Sequence, residues 1–130
     1  MYRSHPTAPV TSKILESILH VARGRNRALR ISGILVYKNK NFVQLLEGSP
    51  LSVEMVMESI RRDDRHQNLE VLIDETYDKT ERSFPTWSMG LVMPESLANV
   101  RPDVFCVEIL DSASEKDPVA CRLRDVVAAL

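Results

Sequence analysis

In KNKNFVQLLEGSP (38–50), Gln44 stands among Phe42, Val43, Leu45 and Leu46. Strand alternation puts Gln44 on one face with Phe42 and Leu46. If that face meets packed helices, the amide is buried. A buried amide without partners costs about 1–3 kcal/mol, and it has two donors and two acceptor sites to satisfy. Its partner is a neighbouring strand end, an ordered water, or a ligand. A second pair, Asp63 and His66 in RRDDRHQ, has the types for acid–base work, or simply ends a helix in solvent. Gly33, inside an aliphatic stretch, marks either a close approach of another backbone or a bulge.

Other chemistry finds no support. His5, His20 and His66 are scattered without HxxxH spacing, so no metal site is read. The four glycines, Gly24, Gly33, Gly48 and Gly90, build neither a GxGxxG nor a Walker loop. No nucleophile elbow is present, and the chain reads as a non-enzyme.

The elements that must position Gln44 follow from periodicity. Residues 13–29 carry Ile14, Leu15, Ile18, Leu19 and Ala22 at helical spacing, with Thr11 or Ser12 as cap. ISGILVY (31–37) and residues 42–47 form a hairpin across the polar loop Lys38–Asn41. A second helix opens after Ser49, with Pro50 in its first turn and a stripe of Val53, Val56, Met57 and Ile60. LEVLIDETY (69–77) and WSMGLVM (87–93) are further strands. With one strand before the first helix, this order makes an α+β sandwich of the ferredoxin-like kind, a sheet with two helices on one face. Only residues 1–4 or so are available for that first strand, and a strand at a chain end frays. Residues 94–130 are an extension. It is without clear period until Asp117-Pro118 opens a short helix with Val119, Leu123, Val126, Val127 and Leu130 on one side.

The chain's 130 residues make one compact domain. A formal net charge of −1 gives no electrostatic reason to expect nucleic acid or an anionic membrane as partner. No apolar run approaches the ~18 residues of a membrane span, and MYRSHPTAPV has no signal-peptide core. Cys106 and Cys121, without CxxC spacing, read as reduced thiols of a cytoplasmic protein.

Four blocks together say more than any residue alone. RNRALRISGILVY, then FVQLLEG, then DDRH, then FPTWSMG resemble, in order and separation, the BLUF family of blue-light sensors that use a flavin. The match covers residues 2 to about 93, which makes 1–93 the sensor domain. The resemblance implies a photoactive Tyr2, a switching Gln44, and Trp87 and Met89 of the last strand as their neighbours. It implies a flavin held by Arg25, Asn26, Ile31, Gln44, Leu46, Asp63, Arg65 and His66, with FAD as the expected form and FMN or riboflavin as alternatives. In the family's outline, light drives an electron and a proton from the Tyr to the flavin, and the Gln is left rearranged after recombination. A Gln suits that role because its two ends have nearly one shape and opposite hydrogen-bonding sense. The implied output is contact with a downstream protein or within a homo-oligomer.

Departures from the family pattern are Arg25 where Asn or His is common, Arg30 where Gly is usual, Ser32 for Thr, and Ser59 where some members place an Arg for the cofactor phosphate. Only Met1 precedes Tyr2, so flavin is expected to bind less tightly than with a longer first strand. The alternatives are a flavin-free interaction module of the same fold and a small acylphosphatase-type enzyme. Against the enzyme, SHPTAPVTS holds no glycine-rich anion loop.

Overall fold

The computed structural model describes residues 1–76, 82–85, 88–93, 104–105 (backbone only) and 117–130. Its elements are β1 (Tyr2–Pro6), α1 (Ser12–Ala28), β2 (Ser32–Lys38), β3 (Asn41–Glu47), α2 (Pro50–Arg62), β4 (His66–Val71), β5 (Gly90–Val92), β6 (Val104–Phe105) and α3 (Pro118–Ala128). The sheet runs β4-β1-β3-β2-β5-β6. The first four strands are antiparallel, and β5 and β6 add in parallel to β2 and to each other. This is the expected α+β sandwich, extended by a sixth strand and a third helix that both lie after residue 93.

The helix ends form where their residue types demand. The Thr11 hydroxyl accepts from Ile14 N, and the Ser49 hydroxyl accepts from Ser52 N, with Pro50 in the first turn of α2. α1 ends in a Schellman pair, with Ile31 N bonded to Asn26 O at 2.8 Å and Arg30 N to Arg27 O at 3.3 Å. Arg30 holds φ 55 to make that turn, a conformation for which Gly is the usual residue. The β2–β3 hairpin turns through Asn39 and Lys40, both at positive φ, as a two-residue turn requires when it matches strand twist. At Gly33 the question between bulge and close approach resolves to approach. Its pairing with Leu46 is in register, and a Cβ there would lie 1.9 Å from Leu45 O.

β1 is not frayed. Tyr2 pairs with Gln44 on one edge and Val71 on the other. Met1 O accepts from Leu72 N and Ile73 N at 2.9 and 3.1 Å, and the Met1 ammonium donates to Ile73 O at 2.7 Å. Tyr2 and Arg3 are paired on both sides, so the expected fraying at Tyr2 is not observed.

β4 occupies 66–71 rather than 69–77, because its extent is set by its partner. β1 offers edges only from Pro6, opposite His66, to Tyr2, opposite Val71. Residues 72–76 lie beyond that ladder and Tyr77 lies outside the described residues. β5 is shorter than 87–93 for a related reason: Ser88 and Met89 bond to α1 instead of to a strand.

The sheet has helices on both faces. Under α1, Leu15, Leu19, Ala22, Leu35, Phe42, Met89, Leu91 and Met93 form one cluster. Tyr2, Ile31, Val56 and Ile60 form another under α2. On the opposite face Ile34, Val36, Val43, Leu45 and Val92 pack against Val119, Ala120, Leu123 and Val127 of α3, with Val126 and Leu130 at the margin. A helix as short as α3 is marginal alone. Burial of that apolar side gives it a tertiary reason to form. Its ends are tied as well. Asp117 Oδ1 accepts from Val119 N, Ala120 N and the Ser83 hydroxyl. At the other end, Lys38 Nζ donates to Val127 O and Asn39 Nδ2 to Leu130 O.

Candidate functional site

Between α1 and α2 a cleft of about 360 Å³ opens over the sheet. That lies within the roughly 300–1,000 Å³ usual for small-molecule sites. Its walls are apolar where the helices face each other, through Ile18, Val21 and Ala22 of α1 and Ile60 of α2. Leu35, Phe42, Gln44 and Tyr2 come from the sheet, and Arg25, Ser59, Arg62, Asp63, Arg65 and His66 supply polar groups.

Tyr2 and Gln44 are brought together by the β1–β3 register, which sets them directly opposite each other. The Tyr2 hydroxyl donates to Gln44 Oε1, and Gln44 Nε2 points at the Met89 sulfur at 3.3 Å. A thioether is a weak acceptor, so one end of the amide is firmly bonded and the other only loosely. Both Tyr2 and Gln44 are nearly excluded from solvent, at 5% and 4% exposure. Burial pushes the Tyr2 hydroxyl above the ordinary phenol range, against the opposing charge of Arg25 and with a smaller push from Asp63. Tyr2 therefore stays protonated and a donor at physiological pH. Burial also lowers the Arg25 guanidinium, partly opposed by electrostatic interaction with nearby Tyr2 and Asp63.

Asp63 and His66 do not form an acid–base pair. Asp63 grips the Arg65 guanidinium, with Nη2 to Oδ2 at 2.6 Å and Nε to Oδ1 at 2.9 Å. That hydrogen bonding holds the carboxyl below its usual range despite partial burial, and raises Arg65 in turn. His66 instead places Nδ1 2.7 Å from the Ser4 hydroxyl and Nε2 2.6 Å from Ile60 O. With Ile60 O as acceptor, Nε2 carries the proton, and Nδ1 is left to accept from Ser4 in the neutral ring. The ring thus ties the start of β4 to the end of α2, so a freely solvated helix end is not observed either.

Of the other expected site residues, Asn26 is fully buried and donates from Nδ2 to Ser88 O at 2.8 Å, with Arg25 Nε 3.4 Å from its Oδ1. Ile31 is buried with Tyr2, Val56 and Ile60, and Leu46 packs against both helix clusters. These three stand behind the cleft wall rather than on it. Trp87 lies outside the described residues. Ile18, Val21, Ala22, Leu35, Phe42 and Arg62 line the cleft and were not singled out from the sequence. For Ile18, Val21 and Ala22 the signal was the amphipathic face of α1, and for Leu35 and Phe42 the alternation of β2 and β3, both of which sequence reads only as core.

The donor set suits a flat, polar-edged aromatic ring. The cleft offers apolar walls on two sides, an amide and a phenol at its floor, and guanidinium groups around it. An isoalloxazine has apolar faces and an edge of carbonyls and ring nitrogens, which these groups can bond.

Comparison with known proteins points the same way. Residues 1–90 match the model of the BLUF family, described as sensors of blue-light using FAD. The blue light- and temperature-regulated antirepressor BluF of Escherichia coli K12 is 37% identical over 75 residues, covering 57% of this chain and 19% of that protein. The photoactivated adenylate cyclase subunit beta of Euglena longa is 34% identical over 102 residues, covering 78% of this chain and 12% of that protein. The chain thus spans a fifth or less of the length of these two relatives. Among solved structures, the dark state of BlrB, a BLUF protein, superposes with a TM-score of 0.62 at 32% identity, covering 99% of this chain and 93% of that one. These matches favour a flavin-binding sensor over a flavin-free module or an acylphosphatase-type enzyme. The matched region is a sensor module, and no described helix is long and apolar enough to cross a membrane. With its cleft, its Tyr–Gln pair and a family match across the sensor fold, this chain belongs to the BLUF family of blue-light sensors that use a flavin.

Proposed function

We propose that Tyr2 and Gln44 are the light-responsive pair of this sensor and that the cleft beside them holds FAD. The observation that carries this reading is the buried hydroxyl–amide contact on the cleft floor, with the far end of the amide resting on a weak acceptor. A bound flavin supplies the blue-light absorption and a transient acceptor for an electron and a proton. The chain's residues supply the rest. Tyr2, kept protonated by burial, holds a proton that can leave and return. Gln44 can turn end for end at little steric cost, exchanging an accepting for a donating group at Tyr2. Arg25 reaches the cleft as a donor to ring carbonyls. Arg62 offers charge for a phosphate, which favours FAD or FMN over riboflavin, with Ser59 beside it, while the Arg65 guanidinium is held by Asp63 and borders the same cleft. Asn26, Ile31 and Leu46 form the supporting layer, and Met89 the neighbour that senses the amide, with Trp87 proposed for the same role.

In this reading residues 1–93 sense, and residues 94–130 pass the change on by contact with a downstream protein or a second copy, in the cytoplasm and without chemistry of their own. Met89 packs on the α1 side of the sheet and α3 on the other. The bonded route from Gln44 to α3 therefore runs along β3. Glu47 accepts from Ser83 N at 3.0 Å and Phe84 N at 2.9 Å, and the Ser83 hydroxyl donates to the α3 cap Asp117 at 2.9 Å.

The test is Gln44→Leu. Leu keeps nearly the volume and lacks a reversible dipole, so the variant should retain flavin and lose the light-induced absorption shift. A full shift with normal recovery would sink the assignment. Mass spectrometry of the released cofactor decides among FAD, FMN and riboflavin.

A further inference from the structure

The mechanism above leaves Arg23 of α1 without a role, yet this side chain bonds the segment that carries Met89. Arg23 Nε donates to Met89 O at 3.0 Å, and three residues on, Asn26 Nδ2 donates to Ser88 O at 2.8 Å. Positions three apart share a helix face, so one side of α1 grips two consecutive carbonyls. Both lie just before the ladder of β5, whose pairing with β2 starts at Gly90 opposite Ile34. Met89 is 1% exposed, and its sulfur receives Gln44 Nε2 at 3.3 Å.

We infer that Arg23 is a positioning residue for the light response, fixing the Met89 backbone so that its sulfur favours the dark orientation of Gln44. This rests on the reading of Gln44 as the switch. The physical argument concerns freedom. A methionine side chain has three rotatable bonds and adapts to whatever space it has. Its sulfur marks one place only if its backbone is held there. Before the β5 ladder begins, the bonds among the described residues that hold the Ser88–Met89 segment come from Arg23 and Asn26. The N–H···S contact supports one orientation of the amide. The reversed amide would present its carbonyl oxygen to the sulfur, and two acceptors facing each other gain nothing. Whatever fixes Met89 therefore biases the two orientations relative to each other and sets how readily the amide returns.

The experiment uses the flavin-loaded chain with Arg23→Met, which keeps the apolar stem and removes the donor, and Arg23→Lys, which keeps a cationic donor. Dark recovery of the absorption shift should slow about three- to tenfold in Arg23→Met, the range expected from losing the bond to Met89 O, and stay near wild type in Arg23→Lys. In the flavin-free chain, amide exchange at Gly90 should quicken in Arg23→Met and be restored in Arg23→Lys. Recovery in Arg23→Met within twofold of wild type overturns the inference, as does equal slowing in both variants, which would assign the effect to side-chain shape. Should Arg23→Met fail to retain flavin, Arg23→Ala is read against the same thresholds, and loss of flavin there too overturns it in favour of a fold-holding role. Gln44→Leu is measured alongside. If it abolishes the shift while Arg23→Met recovers normally, only the role of Arg23 falls. If it keeps the shift, the switch and the role of Arg23 fall together.

Discussion

On β3, Phe42, Gln44 and Leu46 point toward α1 and α2, while Val43 and Leu45 point toward α3. Adjacent residues of one strand thus serve two different interiors. The α3 side is an apolar cluster of branched aliphatics with Phe84, closed by Val119, Leu123 and Val127. The α1–α2 side buries Gln44, Asn26 and Ser4 among its apolar groups, and each has a specific partner in Tyr2, Ser88 or His66. An apolar interior tolerates a change that keeps volume and is hurt by one that leaves a cavity. A polar interior is hurt most when one partner of a bond is removed. Stability should therefore concentrate under α3 and response under the cleft.

The sharpest way to break that contrast is Leu123→Ala. Leu123 is fully buried at the centre of the α3 contact, and truncation of such a residue costs about 2–5 kcal/mol. Denaturant unfolding should show that loss, while the folded, flavin-loaded fraction keeps an absorption shift of normal size. If stability is unchanged, or if the shift collapses in molecules still folded, the division between the two faces is wrong.

Glu47→Gln probes the join between them. The carboxylate accepts two backbone N–H groups with its two oxygens. The amide turns one acceptor into a donor facing an N–H, which costs about 1–3 kcal/mol. Amide exchange should quicken at Ser83, Phe84 and the first turn of α3, and remain unchanged in α1. Quickening spread evenly over the molecule would show that Glu47 supports the fold at large and not the join.

How far each face could be read beforehand follows the range of its contacts. Thr11, Ser49 and Pro50 cap helices through neighbours a few residues away, so α1 and α2 were legible almost to the residue. Arg30 was marked as a glycine position by the family pattern and not by the local sequence, and its φ of 55 is one for which Gly is the usual residue. The buried amide of Gln44 was legible as a demand, though its answer, Tyr2 and Met89, lies 42 and 45 residues away. The limits of β4 and β5 were not legible, because β4 stops where β1 stops offering edges and β5 starts where α1 lets go of Ser88 and Met89. Nor could local pattern show that Lys38 and Asn39, at a hairpin tip, hold the end of α3.

Arg30 offers a gain instead of a loss. Arg30→Gly removes the cost of a side chain in the left-handed region and adds backbone freedom to the unfolded chain, for a net gain of about 0.5–1 kcal/mol. The exposed side chain leaves no cavity, so thermal unfolding should shift upward with the absorption shift unaltered. A fall in stability would mean that contacts of the Arg30 side chain outweigh its backbone conformation.

The smallest effect separates charge at the cleft rim from bonding at its floor. Asp63 is held below its unfolded pKa of about 3.9 chiefly by the hydrogen bond from Arg65. A group depressed in this way contributes stability that is fully present above the unfolded pKa and is lost as pH falls through the folded one. The side chains of Asp63 and Arg65 are 29% and 37% exposed, so solvent screens the pair and its contribution stays below about 1 kcal/mol. Asp63→Asn keeps an acceptor for the Arg65 backbone N–H, which bonds Asp63 Oδ1 at 3.0 Å, and removes the charge. Thermal unfolding should therefore be slightly lower in the variant than in wild type near neutral pH, and the two curves should converge below about pH 4 as the native carboxylate protonates. Tyr2 stays protonated throughout this range, so the absorption shift at the cleft floor should not follow the same titration. A gap that persists undiminished in acid would show that Asp63 acts through shape, and a shift that tracks the acid limb would make rim charge part of the switch.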